Sequence, residues 1–453
     1  MDGKKRKPTS LITVPGVWKD TNGRPFMIDK SNENKYAAGN YDGHLDQTML
    51  ALLGVKVMDE RGFYDEMMKV LRKDPGSFLK KKSQEWHASL ARALSNLPSL
   101  SYFQSLPIIP LSDGTWVAAS SIRHTFIHLP SDDPAVKIPS GIEIPIVDAE
   151  AAADLDRNQL FIRLGILQLE IDHIKSAIIQ THSNPEFKPD ALLPTQLVSH
   201  AEFMFQNRES DETSPLQLWM ASDLGSCRRG TAMYLPSKLP SAASNILPRG
   251  AQHTYGFLHP MYLEAGGSAK TEWLKFLRDR LGITTYPRMQ ARSSLTTIQS
   301  DAVHEDFQLI ITRLPSQKWL TVLKDGWEFY RSSLEHQSAA VVRFLRTRKV
   351  NCTGSPMTEQ LCRTYAPINR LTKDFGSVAP FLDIPDANDP NWEPLLDALL
   401  VNRNADFNFY LACLRGAKKT GTTPVELIRR IMHELEDECS LASQDRNLAY
   451  LLQ

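Results

Sequence analysis

Three stretches of the chain share one pattern: apolar residues at helical spacing, then Leu-Gly, then an aliphatic run. They are LALLGVKV (Leu50 to Val57), LFIRLGILQL (Leu160 to Leu169) and FLRDRLGITTYP (Phe276 to Pro287). The spacing of Met49, Leu50 and Leu53, of Leu160, Phe161 and Leu164, and of Trp273, Leu274, Leu277 and Leu281 predicts three amphipathic helices. Gly54, Gly165 and Gly282 stand where a left-handed residue closes a helix at least cost, because glycine has no Cβ to clash. Val55, Ile166 and Ile283 can then fold back on the last turn as the apolar contact of such a cap.

The three glycines lie 111 and 117 residues apart (54 to 165, 165 to 282), so a fourth cap is expected near position 400. There the chain reads DPNWEPLLDALLVNRNADFNFYL. Asp389 is the expected N-cap, Pro390 the first helical residue, and Leu395, Leu396, Leu399 and Leu400 the apolar stripe. Trp392 takes the place of Trp273, and Asn402 replaces glycine in the left-handed position. A second helix follows most caps, with Phe63, Met67 and Leu71, with Ile171, Ile174 and Ile178, and with Phe407, Leu411 and Leu414 before Gly416. After the third cap it comes as VHEDFQLIITRL, behind an insertion rich in Ser, Thr and Arg.

Hairpin signals precede the caps: Asn22-Gly23 in WKDTNGRPFMI, Asp113-Gly114 in PIIPLSDGTWVAA, and looser turns at Gly225 and Gly354. The unit is thus hairpin, proline-rich loop, helix, Leu-Gly stop, helix. Its period of about 115 residues exceeds that of the familiar solenoids. The expected fold is α+β and helix-dominated, in four tandem modules at 1–102, 103–219, 220–340 and 341–453. Proline-rich joints fall at 129–145, 184–195 and 235–248. A last helix opens with the capping box Thr423, Pro424, Glu426, and Val425, Ile428, Met432 and Leu435 form its expected buried stripe.

Charge narrows the function classes. Among 453 residues, 52 Lys and Arg balance 52 Asp and Glu, so no global basic excess marks a nucleic-acid or membrane-surface protein. Five cysteines (Cys227, Cys352, Cys362, Cys413, Cys439) are scattered, which suits reduced thiols and a cytoplasmic or nuclear setting. No apolar run approaches the roughly 20 residues of a membrane span. The N-terminus has no apolar region after its basic cluster, so secretion is not expected. Lys4, Lys5, Arg6 and Lys7 are an import-signal candidate, set against a plain solvated tail.

Short words that resemble catalytic motifs each lack a required residue. GGSAKT (Gly266 to Thr271) has Ala269 where a phosphate loop needs glycine before the lysine, and Lys270 where a nucleophile elbow needs its last glycine. His433-Glu434 begins a zinc-protease motif, but Asp437 replaces the second histidine, and Cys439 is not at ligand spacing. His124 with His128, and His253 with His259, have no cysteine or carboxylate cluster beside them. No catalytic, cofactor or metal residue is therefore assigned. The basic run Lys69, Arg72, Lys73, Lys80, Lys81, Lys82, followed by Trp86 and His87, is the nucleic-acid candidate, with Lys80, Lys81, Lys82 and Trp86 as contacts. A solvated helix end is the bland alternative. For Trp116, Trp273 and Trp392, core packing explains the positions better than ligand stacking.

Taken as a series, LPIIPLSDGTWV, RNQLFIRLGI, LVSHAEFMF, EWLKFLRDRLGI and PFLDIPD…NWEPLLDALLV resemble the downstream region of large fungal proteins. Those proteins carry an N-terminal Hsp90-like (GHKL) ATPase domain and are distantly similar to sacsin and NO VEIN. The resemblance runs over roughly residues 40 to 440. It implies no ATP site here: the nearest text to Asp-x-Gly-x-Gly is Asp223-Leu-Gly225-Ser-Cys227, and no Glu-x-x-x-Asn precedes it. The chain then corresponds to the non-ATPase portion alone, as a short paralogue, a truncated gene model or a fragment.

The expected function is a non-enzymatic, modular scaffold or chaperone-like protein with protein partners and no cofactor. The alternatives are a nuclear nucleic-acid or chromatin-associated factor, an enzyme whose site is assembled from scattered residues, and an accessory protein of a fungal biosynthetic gene cluster.

Overall fold

The computed structural model describes residues 11–28, 36, 44–72, 74–123, 126–134, 136–209, 214–250, 252–292, 299–335, 340–421 and 423–437. Lys4, Lys5, Arg6, Lys7, Lys73, His124 and Cys439 lie outside them. The fold is mixed α/β, 49% helix to 12% strand, so helices carry the core. Its strands form two-stranded sheets. The chain divides into two compact units, one of Met1–Phe187 with Ser199–Glu209 and one of Lys188–Val198 with Ser210–Gln453.

In the first unit, strand Ile12–Thr13 pairs in parallel with Lys56–Val57. Between them the helix His44–Leu52 closes at Gly54 (φ +80°), and the Val55 N–H donates to the Leu50 carbonyl at 2.9 Å. That six-to-one bond satisfies a carbonyl the helix end would leave orphaned. Asp59 then caps Glu60–Leu71 by accepting from the Gly62 N–H at 2.7 Å, and Phe63, Met67 and Leu71 enter the core. Trp18 stacks on Phe63 with ring centroids 4.2 Å apart. The Asp113-Gly114 hairpin joins Ile109–Pro110 to Trp116–Val117. Strand His128–Leu129 pairs in parallel with Leu167–Gln168 across the helix Leu155–Arg163. Gly165 (φ +90°) closes that helix, and the Ile166 N–H donates to the Phe161 carbonyl at 3.0 Å.

The second unit uses the same local devices. Trp219–Ala221 and Cys227–Arg229 form a hairpin, and Met233–Tyr234 lies parallel to Gly256–Phe257 and bridges Thr284. The helix Lys270–Asp279 precedes Gly282 (φ +71°), where the Ile283 N–H reaches the Leu277 carbonyl at 3.1 Å, one residue further back than in the first unit. Lys349–Asn351 and Thr358–Gln360 form the next hairpin, after which Tyr365 bridges both Phe381 and Asn402 in parallel. The helix Trp392–Ala398 ends with the Val401 N–H donating to the Leu396 carbonyl at 2.9 Å.

Several expectations need correction. The left-handed residue of the fourth cap is Leu400 (φ +55°), not Asn402, which sits in a parallel bridge instead. Its helix starts at Trp392, and Asp389 caps the preceding turn by accepting from the Asn391 N–H at 2.9 Å. The Asn22-Gly23 turn lies upstream of Gly54 and carries one isolated antiparallel bridge, Lys19 to Pro25, in place of paired strands. Gly416 is no stop: Phe407–Thr420 runs through it and ends at Gly421 (φ +67°). A Cβ at Gly416 would collide with the carbonyl oxygens of Val378 and Ser355, so this glycine permits two backbones to touch. In that helix Phe409, Tyr410 and Cys413 are buried, whereas Phe407 is exposed. In the helix 425–437, Ile431 and Leu435 are buried, but Val425, Ile428 and Met432 face solvent. Met49 and Leu53 are exposed as well.

Candidate functional site

The second unit buries a charge. The helix Glu305–Arg313 begins at His304, whose Nδ1 accepts from the Asp306 N–H at 3.2 Å. The Asp306 side chain is only 2% exposed, so its carboxylate needs partners from the protein. The Tyr234 phenol donates to Asp306 Oδ2, Arg288 Nη1 stands 3.8 Å from the same oxygen, and His304 Nδ1 stands 3.3 Å from it. Arg288 is itself fixed. Its Nη2 donates to the Met233 carbonyl at 2.6 Å, its guanidinium lies 4.2 Å from the Tyr234 ring centroid, and its backbone N–H donates to the Tyr234 oxygen at 3.0 Å. Burial, with Asp306 adding, pushes the Tyr234 phenol above its ordinary range. Burial also lowers His304, with Arg288 adding to the effect and Asp306 opposing it.

A cavity of about 220 Å³ opens beside this cluster, lined by Arg288, Gln290, His304 and Ser333 among others. Thr284 and Phe329 also border a larger cleft of about 760 Å³, walled by Tyr286, Trp327 and Phe329 and by Lys324 and Arg278. Two of its polar groups are engaged: Lys324 Nζ donates to Asp389 Oδ2 at 2.8 Å, and the Tyr286 hydroxyl donates to the Asp325 carbonyl at 3.0 Å. Ser333 Oγ is 3.1 Å from Gln290 Oε1, not from a base. The Cys227, Cys352 and Cys413 thiols are pushed up to about 12 by burial, which keeps them as unreactive thiols.

Besides Glu66 and Arg157, the first unit buries a pair of imidazoles. His182 Nε2 and His200 Nδ1 lie 3.0 Å apart, and His200 Nε2 donates to the Ser140 carbonyl at 2.9 Å. Because that carbonyl only accepts, neutral His200 takes its proton on Nε2 and accepts at Nδ1 from His182. Both rings are fully buried. Burial lowers the His200 pKa.

Neither cluster was among the residues singled out from the sequence. Those residues are placed as follows. Trp86 is buried and meets Phe26 and Phe78 edge-on, while Lys82 Nζ lies 4.4 Å above the Phe78 ring and 5.3 Å above Trp86. No ring face of Trp86 is left for a base, which corrects the stacking expectation; Lys80 and Lys81 are exposed. His87 donates from Nε2 to the Leu79 carbonyl at 3.1 Å and stacks on Trp116. Trp273 and Trp392 are core residues, donating to the Tyr262 and Pro385 carbonyls. Gly266 of GGSAKT carries φ +84°, and a Cβ there would meet Trp273 at 2.6 Å, so packing accounts for the glycine. His433 pairs with Asp437 at 3.1 Å on the surface. Asp223 pairs with Arg249 at 2.8 Å. Among the described residues no three His, Cys, Asp or Glu side chains are grouped to hold a metal, and no helix is long and apolar enough to cross a membrane.

Compared with protein-family models, characterised proteins and solved structures, the chain matches none.

Proposed function

We propose that this chain is a modular interaction scaffold: four α+β modules of one design, bounded near 102, 219 and 340, that bind other polypeptides and perform no chemistry of their own. The observation that carries this reading is the cap. At Val55, Ile166, Ile283 and Val401 the residue after a left-handed position bonds back to the helix it has just left. A capped helix follows each time, starting from Asp59, Glu170, His304 and Asp406. A resemblance to the non-ATPase region of the sacsin-like proteins, read from the sequence words alone, would agree with this reading. So do the unreactive thiols.

Before the first cap, the described residues show one antiparallel bridge, Lys19 to Pro25, where the other modules have a paired hairpin, which makes this the least regular copy. A thermal-shift series on the whole chain tests the absence of nucleotide chemistry. ATP with magnesium is expected to leave the melting temperature unchanged, and a saturable rise with phosphate release would overturn the proposal.

A further inference from the structure

The polar side chains around the cavity of about 220 Å³ converge on one role, that of hydrogen-bond donor. His304 Nδ1 accepts from the Asp306 backbone N–H, so the neutral ring carries its proton on Nε2. Gln290 Oε1 accepts from the Ser333 hydroxyl at 3.1 Å, which leaves the NH2 of that amide as its free end. Arg288 gives one Nη2 proton to the Met233 carbonyl, while its Nη1 stands 3.8 Å from Asp306, beyond hydrogen-bond range. The guanidinium has five N–H groups, so several have no acceptor among the described residues although the side chain is only 12% exposed. Three side chains therefore bring N–H donors to one small space, and its described lining residues include no carboxylate. A buried donor left unpaired costs about 1–3 kcal/mol, so such a space favours an acceptor.

Charge and size select that acceptor. Asp306 lies outside the cavity lining, next to Arg288, and the two together carry no net charge. A carboxylate adds one negative charge, accepts several hydrogen bonds at once, and is planar like the guanidinium. A dianion would bring a second negative charge towards the buried Asp306, which disfavours it. The cavity is smaller than the roughly 300 Å³ at which pockets for drug-sized ligands begin, so the acid is a small one. Phe329, 37% exposed, supplies an apolar wall for a short tail.

We propose that this cavity binds a small monocarboxylic acid, with the carboxylate held by Arg288, His304 and Gln290 and a short apolar tail against Phe329. Binding of this kind makes and breaks no covalent bond. It does not depend on the modular repeat, because every group named lies in the second unit.

Equilibrium dialysis of the full chain against labelled butyrate, and separately against labelled inorganic phosphate at the same ionic strength, tests it. The expected result is saturable binding of one butyrate per chain, with phosphate binding more weakly. Arg288→Gln should abolish butyrate binding, but it also leaves Asp306 buried without its countercharge, so the fold itself is at risk. Gln290→Glu keeps the side-chain size at a half-buried position and replaces a donor by an anion. Its circular dichroism and melting temperature should match the wild type, while butyrate binds about tenfold or more weakly. Absence of saturable butyrate binding overturns the proposal and leaves the cavity to water. So does tighter binding of phosphate than of butyrate, or a folded Gln290→Glu chain that binds butyrate as the wild type does.

Discussion

The two units bury different polar groups. The first unit hides an imidazole pair, His182 and His200, as well as Glu66 and Arg157. The second hides a carboxylate and compensates it with Arg288 and Tyr234. The caps differ in the same direction. Gly165 has open space around a notional Cβ, whereas Gly282 would meet Thr231 Cγ2 at 3.1 Å. The second unit's cluster depends on a buried charge and its cap on close contact, whereas the cap at Gly165 has free space. The same local plan thus supports different sensitivities.

The largest test strikes the charged cluster. Asp306→Ala leaves Arg288 buried without its countercharge and should cost about 3–5 kcal/mol in urea unfolding. A loss below 1 kcal/mol would mean the cluster is not load-sharing, and the contrast between units would weaken.

Acid strikes the first unit harder. His87, His128 and His200 there are all lowered chiefly by burial, against His304 in the second unit. In the unfolded chain a histidine binds its proton below about 6.5, while a folded group with a depressed pKa does not. The unfolded state then holds more protons, so stability is complete above that pH and falls as pH drops below it. His87, lowered to about 4, should alone remove about 2 kcal/mol by pH 5. Hydrogen exchange at pH 5 and pH 7.5 should show the first unit losing more protection, and His87→Gln should shrink the difference. Equal losses in both units would contradict it.

The caps give smaller effects. Gly282→Ala combines a disfavoured φ with a steric contact and should lose more than Gly165→Ala, which meets strain alone and should cost about 1 kcal/mol. Leu400→Gly should relieve strain of the same order and raise the melting temperature slightly. The smallest expected change is that of Lys80→Glu with Lys81→Glu on retention by heparin at moderate salt. A large, salt-dependent loss would revive the nucleic-acid reading.

The parts legible in the sequence were those whose signal is local. Gly54, Gly165 and Gly282 announce their left-handed backbone by residue type, and Asp113-Gly114 does so for its hairpin. Leu400 announces nothing, because leucine is disfavoured at φ +55° and only the surrounding structure imposes it. Helix position was legible but helix face was not: the stripe Val425, Ile428, Met432 satisfies helical spacing as well as the half-buried Leu427 with the buried Ile431 and Leu435 does. The polar clusters were out of reach, since His182 and His200 lie 18 residues apart and Tyr234 and Asp306 lie 72 apart. No spacing rule joins such pairs; only the folded core does.

Gly416 carries a mechanical consequence. With no side chain between them, the helix Phe407–Thr420 rests directly on the peptide groups of Val378 and Ser355. The seat is a hard stop rather than a cushion, because carbonyl oxygens cannot change rotamer to make room. One added methyl would therefore act as a wedge, levering Phe407–Thr420 off its bed and tilting whatever helix 425–437 presents to the outside.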